Sequence, residues 1–553
     1  MAGTRRGRWA ATLALPALAL GAASASGFFG EPDPTFGGDG VVLAAGAGAG
    51  GEADDVVVLP DGAILAAGSV LTATGGSDVA VFKLEENGSL DSTFGGGDGI
   101  AVVDIDGDAS ADKAYAIALQ GDGKIVVAGS TRADAPGADE DLAIARFESD
   151  GTLDDDDGDG GFGGDGIVTV PVSATTDDWA NSVVVDASGR VTAAGTVWEG
   201  STVDDYQQDF LLVRLTSAGA LDPNFDGDAG PGNGIVRVSF ASGDFAYEEA
   251  FGVGLADDGD LIAVGEVYNG DTLSDTLIGV ARLNAADGGL DSAFDDDGLV
   301  TTQVGDAHSV ALDLAVSDGT VAVAGQSGSN LMLARYAQAD GSLDDSFGDA
   351  GVVTVAPAQI GADQLTGGDI AVDGDRYVVA LQIGDSTSGE DVGVAAFSGD
   401  GQLDSDFAED GIATLSTAPP GGLERAFAVA PVDDGNALTQ NKVVIAGEAS
   451  PDEPENFAAL FARFGPDITP PATTITRPKA GKTRDRTPSL RFTVSEPGTS
   501  RCRIDAKPWI ENCTSPRTFP RQPLGAHVIK VQSTDLDGNI ENPPARRRFK
   551  IVR

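Results

Sequence analysis

DGKIVVAGSTRADAPGADEDLAIARFESDGTLDDDDGDGGFGGDGIVTV, residues 122–170, holds one copy of the pattern that decides the fold. The turn dipeptide Asp122-Gly123 opens an apolar run that closes on Gly129. After a polar loop come a second run ending in Arg146-Phe147, a second turn, the pair Leu153-Asp154, a glycine-rich stretch around Phe162 and a last run, Ile167–Val170. Asp-Gly between apolar runs marks a hairpin, because glycine takes the positive φ that such turns require. With the run Ala114–Leu119 ahead of its turn, the copy reads as four short antiparallel strands.

The same order recurs along the chain. Runs closing on small residues end at Gly68, Gly129, Gly195, Gly265, Gly325, Leu381 and Gly447, at spacings of 61, 66, 70, 60, 56 and 66 residues. The joint repeats as Leu90-Asp91-x-x-Phe94, Leu221-Asp222-x-x-Phe225, Leu290-Asp291-x-x-Phe294, Leu343-Asp344-x-x-Phe347 and Leu403-Asp404-x-x-Phe407. Four strands cannot protect their own edges, so seven such units predict radial closure into a seven-bladed β-propeller, an all-β fold. A β-solenoid has shorter rungs, without two hairpin turns each. The sequence enters in mid-joint at Asp33-Pro34-Thr35-Phe36, and the last repeat stops at Phe464-Gly465 without a new joint. The first joint is therefore expected to complete the last blade.

These three motifs in fixed order, DGKIVVAG, the Arg-aromatic close of the third run and LDxxFGxxG, resemble the delta-60 repeat family of bacterial propeller proteins. The resemblance covers nearly all of residues 33–464 and implies a fold without implying a chemistry. It departs at the sixth repeat, where Leu381 replaces glycine and Ala396 replaces arginine.

Charge divides the chain. Residues 27–466 carry 14 Lys and Arg against 79 Asp and Glu, a net of −65, whereas 467–553 carry 17 against 8, a net of +9. An acidic body repels phosphate, which argues against nucleic acid and anionic membranes as partners of the main domain. Residues 1–25 have the layout of a signal peptide, with Arg5, Arg6 and Arg8 before a short apolar run and a small-residue site near Ala25. Sec export is the main reading and a twin-arginine route the alternative. No later run is long and apolar enough to span a bilayer. The expected location is secreted or cell-surface associated.

Six basic residues of the acidic domain share one repeat position: Lys83, Arg146, Arg214, Arg282, Arg335 and Arg463. Each has a joint carboxylate nearby, giving the expected structural pairs Arg146 with Asp154, Arg214 with Asp222, Arg282 with Asp291, Arg335 with Asp344, and Arg463 with Asp33 on ring closure. Asp404 lacks such an arginine, which predicts a weaker sixth junction. No catalytic residue is assigned. His308 reads as a solvated substitution, and no nucleophile with its base stands out.

Calcium is the one cofactor considered, because acidic residues at alternating positions of a tight loop suit a hard cation. Its candidate ligands are Asp104, Asp106, Asp108 and Asp112 in one loop and Asp155, Asp157 and Asp159 in another, with acidic turns as the competing reading.

After Pro470-Pro471, residues 467–553 read as a small β-sandwich, and the stretch from Arg501 to Val552 resembles the bacterial Ig-like modules that end many exported proteins. Cys502 and Cys513, the only cysteines, are expected to form a disulfide in an exported chain. The basic surface of this module is expected to contact cell-wall polymer or the acidic domain. The leading functional expectation is a non-enzymatic binding or scaffold protein for a protein or glycan ligand. The alternatives are an extracellular carboxylate-based hydrolase or lyase, and a calcium-dependent surface-layer or matrix component.

Overall fold

In the computed structural model the described residues are 30–44, 50–73, 75–107, 109–133, 135, 138–155, 161–173, 176–199, 207–227, 232–240, 246–268, 276–305, 308–385, 389–405, 407–416, 423–432, 442–450, 457–465, 471–495, 498–535 and 540–553. The leader at 1–25 and Asp108, Asp157 and Asp159 lie outside them. Strands dominate, and the helical elements among the described residues are single turns at Pro357–Gln359 and Ala408–Gly411.

Each repeat folds into an antiparallel four-stranded sheet. In the second, Lys113–Leu119, Ile125–Thr131, Asp141–Phe147 and Ile167–Val170 lie in chain order, each strand paired with the next. The sheets stand side by side with their first strands innermost: Gly51–Val58, Lys113–Leu119, Asp178–Val185, Ala246–Leu255, Ser309–Ser317, Gln364–Asp373 and Leu423–Val432. Each inner strand packs on the next, and the last packs on the first, so the array closes on itself as a β-propeller does. Between neighbouring sheets lie apolar layers such as Val126, Leu142, Val191, Leu211 and Val213, all fully buried.

The N-terminal joint completes the last sheet as expected. Glu31–Pro32 and Val41–Ala44 both pair with Ala458–Gly465. Gly30, at φ 111°, sits over Phe407 and Ala408, the place taken elsewhere by a turn glycine of the next repeat.

The joint motif ties sheet to sheet. Arg214 Nε bonds Asp222 Oδ2 at 2.9 Å, its guanidinium stacks 4.1 Å from the Phe225 ring centroid, and Nη1 donates to the Ala285 carbonyl in the following repeat. Arg146 does the same with Asp154 (2.5 Å), Phe162 (4.5 Å) and the Ser217 carbonyl (2.6 Å). Arg335 pairs with Asp344 at 2.8 Å, stacks on Phe347 and reaches the Gly399 carbonyl. Arg463 closes the ring by joining Asp33 at 2.8 Å, Phe36 and the Glu86 carbonyl. Arg282 and Lys83 pair with Asp291 and Asp91 at 3.0 and 3.2 Å.

The sixth junction departs from expectation. Asp404 is met by Arg376 at 3.3 Å, a residue at the start of the second strand. The same position supplies Lys124 to Asp154 (3.0 Å) and Lys442 to Asp33 (2.9 Å), so the missing arginine is replaced by a second cation site already in the repeat.

Residues from 471 onward form two further sheets. One contains Thr473–Arg477, Ser489–Val494 and Arg517–Thr518, the other Gly481–Thr483, Ala545–Ile551, Gly525–Asp535 and Gly498–Ile504. Ile475, Leu490, Ile529, Val531 and Phe549 form a core with the Cys502–Cys513 disulfide. Closing so short a loop stabilises a small domain by about 3 kcal/mol in the chain-entropy account.

Arg214→Ala leaves Asp222 buried without its main partner and uncovers Phe225, so it is expected to cost about 3–5 kcal/mol. Asp222→Ala added to it costs less than the sum of the two single changes. Calorimetric unfolding of the four-member cycle checks this, and strict additivity of the two changes refutes the pairing.

Candidate functional site

The strands that face the axis are not regular. Every inner strand slips its register once against its neighbour: at Ala53/Asp55, Ala114/Ala116, Ala180/Ser182, Ala250/Gly252, Ala311/Asp313, Gly367/Ile370 and Ala426/Ala428. A β-bulge places two residues opposite one and turns a side chain out of the sheet. Asp54, Tyr115, Asn181, Phe251, Leu312 and Phe427 thereby line a central cavity of about 260 Å³, with Gly368 at the same position of the sixth sheet.

The repeat glycine is the other half of this device. A Cβ at Gly195 would lie 2.0 Å from the Trp179 carbonyl oxygen, and at Gly68, Gly129 and Gly447 the equivalent carbonyl is 1.8–2.1 Å away. Glycine sits in mid-strand, within Ile64–Leu71 for Gly68, rather than at a strand end as its sequence context suggests. In the sixth sheet Leu381 faces Gly367, so the small residue has moved to the opposite strand.

Three carboxylates just past the bulges converge on the cavity and also stitch inner strands together. Asp55 Oδ2 accepts from the Ile117 backbone N–H (2.7 Å), Asp313 Oδ2 from Ile370 (3.3 Å) and Asp369 Oδ2 from Val429 (2.8 Å), each in the following sheet. Ser182, at the same repeat position, does likewise, its Oγ accepting from Val253 N in the following sheet at 3.1 Å. Their acidity is perturbed. Burial, then the charge of Asp369, pushes Asp55 up to about 7. Burial raises Asp313 to about 6, against its hydrogen bond to Asp369. Asp369 rises well above the usual carboxylate range through burial and the Asp313 charge. Although half open to the cavity, these groups are hemmed in by protein on every other side, which is why burial dominates.

A polar belt lies one residue before the bulges. Lys113 bonds Glu52 at 2.8 Å, Arg425 bonds Glu448 at 3.0 Å and Glu390 at 3.1 Å, and Asn181 Nδ2 donates to Glu249 Oε1 at 3.1 Å. Half-buried aromatic pairs border Glu249 and Glu266: Trp179 with Trp198, and Tyr247 with Tyr268. Burial, then Glu249, raises Glu266 to about 7.

The sequence-expected calcium ligands fare unevenly. Asp104 and Asp112 come together, joined by Asp78, which no sequence motif singled out, with oxygens of all three within 4.8 Å of one another. Asp106 lies beside them across the Thr131 hydroxyl, with its Oδ2 2.9 Å from Thr131 Oγ1. Asp155 is exposed. Both Asp112 oxygens are engaged, Oδ2 by Ile105 N (2.8 Å) and Ser110 Oγ (2.9 Å), Oδ1 by Thr131 Oγ1 (2.6 Å). The equivalent Asp178 accepts from Leu142, Val172 and Ser173 N–H groups, and Glu248 from Phe240 N. Neither stands beside an alternating-aspartate loop. Asp112 therefore holds the loop that crosses between sheets, a role that needs no cation. His308 is also no solvated side chain: its Nδ1 bonds Thr276 Oγ1 and burial lowers its pKa.

The family model described as a domain of unknown function (DUF5122) beta-propeller matches residues 59–94, 120–156 and 187–225. No curated protein matches the chain. Solved structures with similarity include the extracellular domain of the two component system BT3049 from B. thetaiotaomicron, at 10% identity and TM-score 0.27, over 90% of this chain and 68% of that one. The PQQ-bound aldose sugar dehydrogenase of Streptomyces coelicolor matches at 15% identity and TM-score 0.31, over 62% and 91%. Polysaccharide lyase Uly1 matches at 8% identity and TM-score 0.35, over 79% and 90%. The family match agrees with the sheet architecture in identifying a β-propeller.

The raised acidities carry a pH signature. Between the unfolded value near 3.8 and the folded values near 6–7, the folded chain binds more protons than the unfolded one, so this contribution to stability falls as pH rises through that window. Melting between pH 5 and 8 is expected to show the fall. Asp369→Asn, which keeps an acceptor for Val429 N, is expected to flatten it, and an unchanged slope in that variant refutes the assignment. Replacing chelator with millimolar calcium is expected to leave the melting temperature within about 1 °C, since a cation site of useful affinity stabilises in proportion to its occupancy.

Proposed function

We propose that this chain is an exported, non-enzymatic binding protein: a seven-bladed propeller that takes a glycan or protein segment at the mouth of its central channel, followed by an Ig-like β-sandwich acting as spacer. The observation that carries the reading is the contrast between frame and lining. The joint residues and strand glycines repeat from sheet to sheet, while the bulge position holds Asp54, Tyr115, Asn181, Phe251, Leu312, Gly368 and Phe427 in turn. A constant scaffold presenting a varied set of side chains from one repeat position is the arrangement selective recognition requires. Aromatic rings beside Glu249 and Glu266 favour a sugar, whose apolar face stacks on rings while its hydroxyls bond carboxylates. The disulfide and the leader layout support export.

The carboxylate-hydrolase alternative draws on the hydrogen-bonded Asp313–Asp369 pair. Against it, both residues accept backbone N–H groups of a neighbouring inner strand, which accounts for them as architecture. Surface-layer assembly would need the calcium dependence that the occupied oxygens of Asp112 speak against.

Arrays of glycans and extracellular peptides, probed with the full chain, are expected to yield a ligand whose affinity falls at least tenfold in Phe251→Ala and Phe427→Ala. These half-buried rings line the cavity outside the sheet cores. Cleavage of a bound glycan, seen as new reducing or unsaturated ends, overturns the non-enzymatic reading.

A further inference from the structure

The four-stranded sheet of the C-terminal domain has one face in the core and one in solvent. Cys502, Ile504, His527, Ile529, Val531, Phe549 and Ile551 point inward and are buried. Alternation then turns Arg501, Arg503, Lys530, Arg546, Arg548, Lys550 and Lys482 outward.

Register brings these cations together. Arg503 stands opposite Lys530, Lys530 opposite Arg546, and Lys482 opposite Lys550. Like charges directly opposite across strands destabilise a sheet. No outward position on these strands is acidic among the described residues; the carboxylates that border the array are Glu511, 4.0 Å from Arg501 and mostly exposed, and Asp505, which is engaged by Val528 N at 2.9 Å and by His527. Arg501 and Arg503 both stack on Trp509, at 5.0 and 4.4 Å from its ring, which fixes two guanidinium planes.

We infer that this face is a binding surface for a linear, phosphate-bearing polyanion. Cations recur along the strand Ala545–Ile551 at alternate residues, about 7 Å apart, and across strands about 4.8 Å apart, a flat array matched to an extended chain with charges in series. Guanidinium forks take phosphate oxygens bidentately. A bilayer is the poorer partner, because the large apolar ring on this face, Trp509, is covered by the Arg501 and Arg503 guanidinium groups rather than presented for insertion.

The test titrates the full chain with long-chain inorganic polyphosphate at several salt concentrations. The expected result is binding whose log affinity falls with log salt at a slope of about −3 to −4, as for release of counterions from some five phosphates. In Arg546→Glu/Arg548→Glu, exposed positions outside the core, affinity falls at least tenfold while melting and the disulfide are kept. Arg491→Glu, exposed on the strand Ser489–Val494 of the other sheet, leaves binding unchanged. Binding to anionic phospholipid vesicles without binding to polyphosphate overturns the inference in favour of a membrane, and no binding to either overturns it outright. So does equal loss in both variants, which would mean that net charge rather than this face is read.

Discussion

The structure depends on one arginine contact repeated around the ring. Arg146, Arg214, Arg335 and Arg463 each hold the carboxylate of their own joint, cover the joint phenylalanine and donate to a main-chain carbonyl of the next repeat, and Arg282 shares the carboxylate and carbonyl contacts. A buried ion pair alone contributes little net stability, because desolvation offsets its attraction. Here the remaining donors are satisfied by backbone and the ring is covered by an aromatic face, so the group fixes the angle between successive sheets. The glycine of the following turn completes the joint: a Cβ at Gly219 would meet the Gly163 nitrogen at 2.4 Å, and one at Gly151 the Phe94 ring at 2.9 Å. Recurring arginine, aspartate, phenylalanine and glycine are therefore parts of a single device.

Much of this was legible because it is local and repeated. Strand order, turns, the Arg–Asp pairs and the joining of Asp33 to Arg463 all follow from motifs within about 60 residues of their copies. Three things were not. A bulge is a slip of one residue and changes no composition, so only the mid-strand glycine reports it. The second cation site was visible as Lys124, Arg376 and Lys442 ahead of a strand, yet its role depends on a side chain reaching across the sheet. Asp112 looked like part of an acidic loop because its equivalents, Asp178 and Glu248, carry no such loop to invite comparison.

The channel was illegible for a different reason. Asp55, Asp313 and Asp369 meet only because ring closure brings their strands to a common axis, and nothing in their neighbourhoods marks them among so many acidic residues. Their perturbed acidity follows from sharing a confined space, and their place in the fold follows from capping the strand next door. The lining thus joins architecture and recognition: residues that hold adjacent sheets in register also decide what charge the cavity presents.

The pairing of Glu31–Pro32 and Val41–Ala44 with Ala458–Gly465 has a consequence in time. Asp33 and Arg463 are 430 residues apart in the chain, and chains fold as they emerge, amino end first. The first strands of the ring wait for its last ones. Until then the final sheet's place is open, and both flanking sheets present a bare apolar side to whatever surrounds the chain. Loop-closure entropy grows only slowly with length, so the delay is a matter of order of events rather than of equilibrium cost. A chain with 79 acidic residues in this domain keeps such half-built rings apart by mutual repulsion, which gives its unusual charge a use before any ligand is met.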